Sequence, residues 1–150
     1  MGYIEEIRKQ IGHKRIILTG SVVIIKNKDN EVLLQKRTHP KGKWGFPGGL
    51  MELGESTVET AKREVFEETN LVVDDLMLIG VYSGKDYLCK ALNGDEWYVV
   101  VVAYSTENYN GELRVNDDES ESLEWFSVDN IPDNIAKTHK ELLNDFIKGL

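Results

Sequence analysis

Apolar residues recur along the chain at two periods, which divide it into helices and strands. Over 3–11, isoleucines are spaced for one face of a short amphipathic helix. The runs 16–25 and 31–37 are rich in β-branched and other apolar residues. The turn sequence at 27–30, Asn-Lys-Asp-Asn, separates these two runs, so we predict that they pair as a β-hairpin.

The second half of the chain continues the alternation of strands and helices. Apolar runs predict strands near 76–83, 97–104 and 123–127, followed by a terminal helix over about 133–148. The run at 97–104, WYVVVVAY, is continuously apolar, which predicts a strand buried on both faces. Strands flanked by helices predict one layered α/β domain over 1–150, and 150 residues suffice for a single core.

A glycine- and proline-rich loop over 40–49 leads into the most informative helix, at about 56–70. Ser56 and Glu59 have the spacing of a capping box, which fixes the helix start. Ala61 and Val65 recur at helical spacing and are predicted to face the core.

Three glutamates of this helix, Glu64, Glu67 and Glu68, are three and four residues apart and therefore lie along one edge. Like charges this close repel one another, and a divalent cation with its preference for oxygen ligands is the natural compensation. The alternative is an ordinary solvated acidic face. The glycines of the preceding loop, together with Glu52 and Glu55, favour a ligand site, because glycine lets backbone approach a ligand closely.

The net charge of −8 is concentrated in two short segments. Residues 52–68 hold six glutamates against two basic residues, and residues 117–124 hold five acids and no base. This balance argues against stable nucleic-acid binding. The cluster 117–121 is either a solvated loop or the source of a further acid, Glu119 or Glu121, for the metal site.

Other features narrow the class of protein. No stretch approaches the roughly 20 apolar residues of a membrane span, and the N-terminus lacks a signal-peptide core. A single cysteine, Cys89, is expected to be a half-buried thiol and suits a reducing, cytoplasmic location. Basic residues upstream of the helix would either bind a terminal phosphate or be solvated, and aromatic residues would either stack on a base or belong to the core. The basic residues are Lys36, Arg37, Lys41 and Lys43, and the aromatic ones are Trp44, Tyr82, Tyr87, Trp97 and Tyr98.

The segment from Gly49 to Leu71, GLMELGESTVETAKREVFEETNL, resembles the signature of the Nudix hydrolases. Eight specified positions match: Gly49, Glu55, Arg63, Glu64, Val65, Glu67, Glu68 and Leu71. The resemblance extends over nearly the whole chain, including the strands before this box and the LEWFSVDNIP segment after it.

Asn70 departs from the signature, which has glycine at that position. The glycine is expected to end the helix in a left-handed conformation. Asn tolerates that conformation best among the other residues, so we predict the same turn.

The resemblance implies an α/β/α sandwich with a mixed sheet and a box that holds Mg²⁺ or Mn²⁺. Glu64, Glu67, Glu68 and the Gly49 carbonyl would then be metal ligands, and Arg63 would orient a box glutamate through an ion pair in the region of Glu55. The catalytic base varies within the family. Here Glu64 is one candidate, and an acid of the second cluster such as Glu119 is another.

Family members cleave a diphosphate linked to another group, often a nucleoside, so the expected substrate is a small nucleoside diphosphate derivative. Homodimers are common among similar proteins, and the sequence leaves the oligomeric state open. One alternative is a non-catalytic module that binds nucleotide derivatives, against which the intact Arg63 and glutamates argue. Another is an isomerase of isoprenoid diphosphates, which would need a catalytic cysteine in a context that Cys89 lacks.

Overall fold

The computed structural model describes residues 2–116 and 118–149. The helices in this part of the chain are α1 (Tyr3–Ile11), α2 (Thr57–Thr69) and α3 (Lys137–Lys148), with a 3₁₀ turn at Lys85–Tyr87. The strands are β1 (Ile16–Ile25), β2 (Glu31–Arg37), β3 (Trp44–Gly45), β4 (Gly48–Leu50), β5 (Val72–Asp74), β6 (Met77–Tyr82), β7 (Leu88–Lys90), β8 (Glu96–Thr106), β9 (Asn108–Asn110) and β10 (Ser120–Ser127).

The largest sheet is mixed, with the order β4-β1-β8-β6 and with β7 also paired to β8. β1 runs parallel to β8 from Ile16 opposite Trp97 to Ile25 opposite Thr106. The other edge of β1 pairs antiparallel with β4, which places Val22 opposite Gly48. A smaller sheet has the order β10-β2-β3, and β5 pairs with β9.

The predicted hairpin between the first two strands is wrong. The turn itself forms, because the Asn27 N–H donates to the Glu31 carbonyl at 2.9 Å and the Asn27 side chain accepts from the Asp29 and Glu31 N–H groups. Beyond a single bridge between Lys26 and Val32, however, the strands diverge into different sheets. Both edges of β1 are taken by β4 and β8, and β2 lies between β10 and β3.

Alternate residues of β1 and β2 face two separate cores, one covered by each of the longer helices. Val22 and Ile24 belong to the core beneath α3, whereas Val23 and Ile25 belong to the core beneath α2. In β2, Val32 and Leu34 join the first core, and Leu33 joins the second. The α/β/α sandwich expected from the resemblance is therefore confirmed.

Two further predictions need correction. β8 is not buried on both faces throughout, since its residues from Glu96 to Val100 are only half-buried, and Trp97 and Val99 among them line a cleft. α3 begins at Lys137, four residues later than predicted, because 134–136 pairs with Trp44: the Trp44 N–H donates to the Asn134 carbonyl, and its carbonyl accepts from Ala136.

The predicted helix α1 and the half-buried Cys89 on β7 are as expected. No helix in the described part of the chain combines the length and apolar character needed to cross a lipid bilayer.

Candidate active site

The ends of α2 are fixed by local hydrogen bonds. At its start the Ser56 hydroxyl accepts from the Glu59 N–H at 3.0 Å, and the Ser56 N–H donates to the Glu59 carboxylate at 3.0 Å, so the predicted capping box is present. At its end Asn70 has φ 67° and ψ 9°, the left-handed conformation predicted for it. The Asn70 amide also donates to the Glu112 carbonyl at 2.9 Å, a contact that local sequence could not reveal.

Arg63 connects the loop before α2 to the glutamates on it. Its Nε and Nη2 donate to the two oxygens of Glu55 at 2.6 and 3.0 Å, and its Nη1 donates to Glu64 at 2.9 Å. Nη2 also donates to the Leu50 carbonyl at 3.0 Å. The hydrogen bonds from Arg63 hold the pKa of Glu55 down to about 2, so Glu55 stays ionised and keeps the guanidinium in place.

Glycines allow the loop backbone to lie directly against the glutamates. The Glu64 carboxylate occupies the space that a Cβ on Gly49 would need, and the Ser21 carbonyl occupies the corresponding space at Gly48. The Gly48 N–H donates to Glu68 Oε1 at 3.0 Å. At Gly20, a residue that the sequence did not single out, a Cβ would lie 2.7 Å from the Gly49 oxygen, so a side chain there would clash with that carbonyl.

The three box glutamates differ in how far their side chains are buried. Glu68 is only 3% exposed, whereas the Glu67 side chain is about half exposed. Burial raises the pKa of Glu68 to about 8 and that of Glu64 to about 7, the latter against the opposing effect of Arg63. Desolvation thus makes both carboxylates costly to ionise in the absence of further positive charge.

Glu119 faces this group from the turn before β10. Desolvation and the charge of Glu67 raise its pKa, and its own charge contributes to the raised pKa values of Glu64 and Glu68. The structure therefore brings Glu119 within electrostatic range of all three box glutamates. Glu121 instead lies 3.9 Å from Lys36. Asp117, the first acid of the predicted cluster, is outside the described residues.

The donor set fits a hard divalent cation. Carboxylates and a carbonyl oxygen are the ligands that Mg²⁺ and Mn²⁺ prefer, and burial, which raises the pKa values of Glu64 and Glu68, favours added positive charge there. Within 2–116 and 118–149, no three acidic, histidine or cysteine side chains are already drawn around one point. Arg63 and the Gly48 N–H instead hold one oxygen each of Glu64 and Glu68.

A cavity of about 410 Å³ adjoins these residues. Its acidic end includes Glu68, Glu119 and the Gly48-Gly49 backbone. The rest of its wall includes Arg37, Phe46, Trp97, Val99, Val101 and His139. A larger cavity of about 680 Å³ near β6 contains none of the box residues, so we assign no chemistry to it.

Only some of the basic and aromatic candidates line the cleft. Arg37 lines it and, among the described residues, has no carboxylate within ion-pairing distance. Of the aromatic candidates Trp97 lines the cleft, whereas Trp44, Tyr82 and Tyr87 belong to the core. His139 had no predicted role, because only the docking of α3 brings it to the cleft.

Comparison with known proteins agrees with the geometry. The family model described as "NUDIX domain" matches residues 18–146. The ADP-ribose pyrophosphatase of Methanocaldococcus jannaschii is 32% identical over 145 residues, covering 94% of this chain and 81% of that protein. A putative 8-oxo-dGTP diphosphatase of Bacillus subtilis is 30% identical over 130 residues, covering 87% of this chain and 80% of that one.

Among solved structures, the MutT NUDIX hydrolase from Burkholderia pseudomallei superposes with a TM-score of 0.73 at 29% identity, covering 86% of this chain and 97% of that one. Members of this family generally use divalent metal cations and act on small nucleotide-derived substrates. The signature residues, the capped helix α2 that covers one core and these relatives lead to one conclusion. The chain belongs to the Nudix family and is a hydrolase of pyrophosphate bonds.

Proposed function

We propose that this chain cleaves the diphosphate bond of a nucleoside diphosphate linked to a further group, with Mg²⁺ or Mn²⁺ as cofactor. The arrangement of Glu64 and Glu68 against the Gly48-Gly49 backbone is the observation that carries the proposal. The four carboxylates at this site would repel a diphosphate, so binding of such a substrate requires cations between the protein and the diphosphate. The four are Glu64, Glu67, Glu68 and Glu119.

The metal ligands in this proposal are Glu64, Glu67, Glu68 and the Gly49 carbonyl. Bound there, the cation would polarise the phosphoryl oxygens and lower the pKa of the attacking water. Arg63 and Glu55 position Glu64, because Arg63 donates to both carboxylates at once. Glu64 and Glu119 remain the two candidates for the base that accepts a proton from water.

Arg37 is proposed to contact the anionic part of the substrate. It lines the cleft beside the acidic end, and burial lowers the pKa of its guanidinium while the charge of Glu68 opposes this effect. A half-buried guanidinium without a carboxylate partner among the described residues is well suited to a phosphate oxygen.

The decisive experiment is hydrolysis of a substrate panel with Mg²⁺ or Mn²⁺. ADP-ribose comes first, because the relative from Methanocaldococcus jannaschii is named for it, followed by 8-oxo-dGTP and nucleotide sugars. We expect a nucleoside monophosphate as a product. In ¹⁸O-labelled water the label should enter a phosphate and not the sugar, since water attacks phosphorus.

The Glu64→Gln variant is the matched control for contaminating activity, because it keeps the shape of the side chain and removes its charge. The absence of any phosphate-containing product with either cation, from protein that melts cooperatively, would contradict the proposal.

A further inference from the structure

His139 is fixed in the cleft by the backbone of the loop before the box. Its Nδ1 accepts a hydrogen bond from the Phe46 N–H at 2.9 Å. The ring also stacks on the Phe46 ring, with centroids 5.8 Å apart and planes 22° apart. Phe46 is 1% exposed and His139 is 7% exposed, so neither ring is free to reorient.

This contact determines where the imidazole proton lies. A nitrogen that accepts a hydrogen bond carries no proton, so the neutral ring must carry its proton on Nε2. Burial, with a further contribution from the positive charge of Arg37, lowers the pKa of His139 to about 3. The ring is therefore neutral at physiological pH, with Nε2–H as its donor.

The Nε2–H group has no hydrogen-bond partner among the described residues. Among the described residues, the side-chain nitrogens that are both unpartnered and shut off from solvent are Arg8 Nε and Trp97 Nε1. His139 Nε2 is not one of them, so this unpartnered nitrogen is accessible to solvent. His139 lines the cleft together with Phe46 and Trp97. The ring thus presents an oriented, unpaired donor to the cleft.

The surroundings of this donor differ from those of the acidic end. Arg37 is within electrostatic range of both Glu68 and His139. The cleft lining also includes the aromatic and aliphatic side chains of Phe46, Trp97 and Val99. Apolar side chains together with a neutral donor suit a heterocycle that carries a ring nitrogen or carbonyl acceptor, and not a phosphate.

We propose that the His139 Nε2–H donates a hydrogen bond to an acceptor on the base of the substrate, which makes His139 a specificity-determining residue. This inference rests on the proposed function, because it places the diphosphate at the glutamates and the nucleoside at His139.

The test uses variants that distinguish the role of Nδ1 from the role of Nε2. In His139→Asn the side-chain oxygen can replace Nδ1 as the acceptor for the Phe46 N–H, while nothing occupies the position of Nε2. His13→Asn is the matched control, because it makes the same change at an exposed histidine that contacts Asp95 outside the cleft.

Binding of AMP, GMP, CMP and UMP in the presence of Mg²⁺ is measured by calorimetry for each protein. We expect the wild type to prefer one base and His139→Asn to lose about tenfold in affinity for it, the effect of a hydrogen bond worth about 1.4 kcal/mol. The other three affinities should change less than about twofold. His139→Gln, which extends a carboxamide towards the Nε2 position, should restore part of the preference.

A second readout needs no variant. In ¹⁵N-histidine-labelled wild-type protein, the preferred mononucleotide should shift the His139 Nε2 resonance while Nδ1 keeps its acceptor signature. An equal loss of affinity for all four bases, a wild type without base preference, or an unchanged Nε2 signal would each overturn the assignment. Base-selective binding through His139 without hydrolysis of any substrate would contradict only the proposed function. Hydrolysis by the wild type, with unchanged base selectivity in His139→Asn, would contradict only the inference about His139.

Discussion

Asn70 combines two roles at the end of α2. Its backbone is left-handed with φ 67°, and its side-chain amide donates to the Glu112 carbonyl at 2.9 Å. The first role was predictable, because a left-handed residue commonly ends a helix and Asn tolerates it. The second was not, because Glu112 lies 42 residues further along the chain.

Substitutions at Asn70 should separate these roles. Asn70→Gly adopts the same φ freely and loses only the contact with Glu112, so we expect kcat within about threefold of wild type and a change in unfolding free energy of at most about 1 kcal/mol. Asn70→Val loses both, because a β-branched residue resists positive φ, and its Tm should fall further. Paired thermal melts and steady-state assays give the answer. Equal melting of the valine variant and the wild type would show that the conformation at this position is unimportant.

The helix α2 is the element that sequence predicted best. Its start, its end and its buried face all depend on residues within a few positions of one another, so local rules sufficed. The hairpin failed for the opposite reason. The turn at Asn27 obeys local rules, but the partners of the adjoining strands lie far along the chain and cannot be read from the turn.

In the candidate site, too, the residues identified from sequence are close together along the chain, and those that were missed are not. Glu55, Arg63 and the three box glutamates were identified because their spacing in sequence places them on one loop and one helix. Gly20 and His139 come from β1 and α3, and only the packed sheets bring them to the cleft. The burial of Glu68 was missed because the edge of the helix that it occupies is covered by the loop at Gly48, not by solvent.

Two conservative substitutions on α2 should have the same effect on catalysis, and neither should lower stability. Glu67→Gln and Glu68→Gln each remove a charged metal ligand, so each should lower kcat by about 100-fold or more. Glu67→Gln should not change the Tm of the metal-free protein, because that side chain is half exposed. Glu68→Gln should keep or raise it, because an amide at this buried position is always neutral and can still accept from the Gly48 N–H.

Steady-state kinetics on both variants test the expected loss of kcat, and metal-free melts test the retained Tm. The control is Glu6→Gln on the exposed face of α1. Wild-type kcat in either variant would mean that this edge of α2 is only a solvated acidic face.

At the scale of the whole molecule, metal binding should stabilise the fold. A cation that binds the folded chain at 100 times its Kd adds about 2.7 kcal/mol to the unfolding free energy. For a chain of 150 residues this corresponds to a rise in Tm of roughly 5–10 °C. Mg²⁺ or Mn²⁺ should produce the rise, and EDTA should reverse it and abolish hydrolysis.

Thermal melts and assays with and without chelator provide both measurements, and the shift should shrink in Glu67→Gln. Undiminished turnover after exhaustive chelation, with no change in Tm, would rule out the metal site.

The parallel pairing of β1 with β8 has a consequence for how the chain reaches this fold. The two strands are joined over ten positions, yet each residue of β1 meets a partner 81 positions later in the chain. Closing so long a loop costs entropy before any contact compensates it, so the topology favours slow folding. During synthesis, β1 must leave the ribosome long before β8 exists. Its apolar residues Val22, Val23, Ile24 and Ile25 therefore stay without their main partner until more than two thirds of the chain has been made. That interval, and not the finished enzyme, is when this protein is most exposed to aggregation.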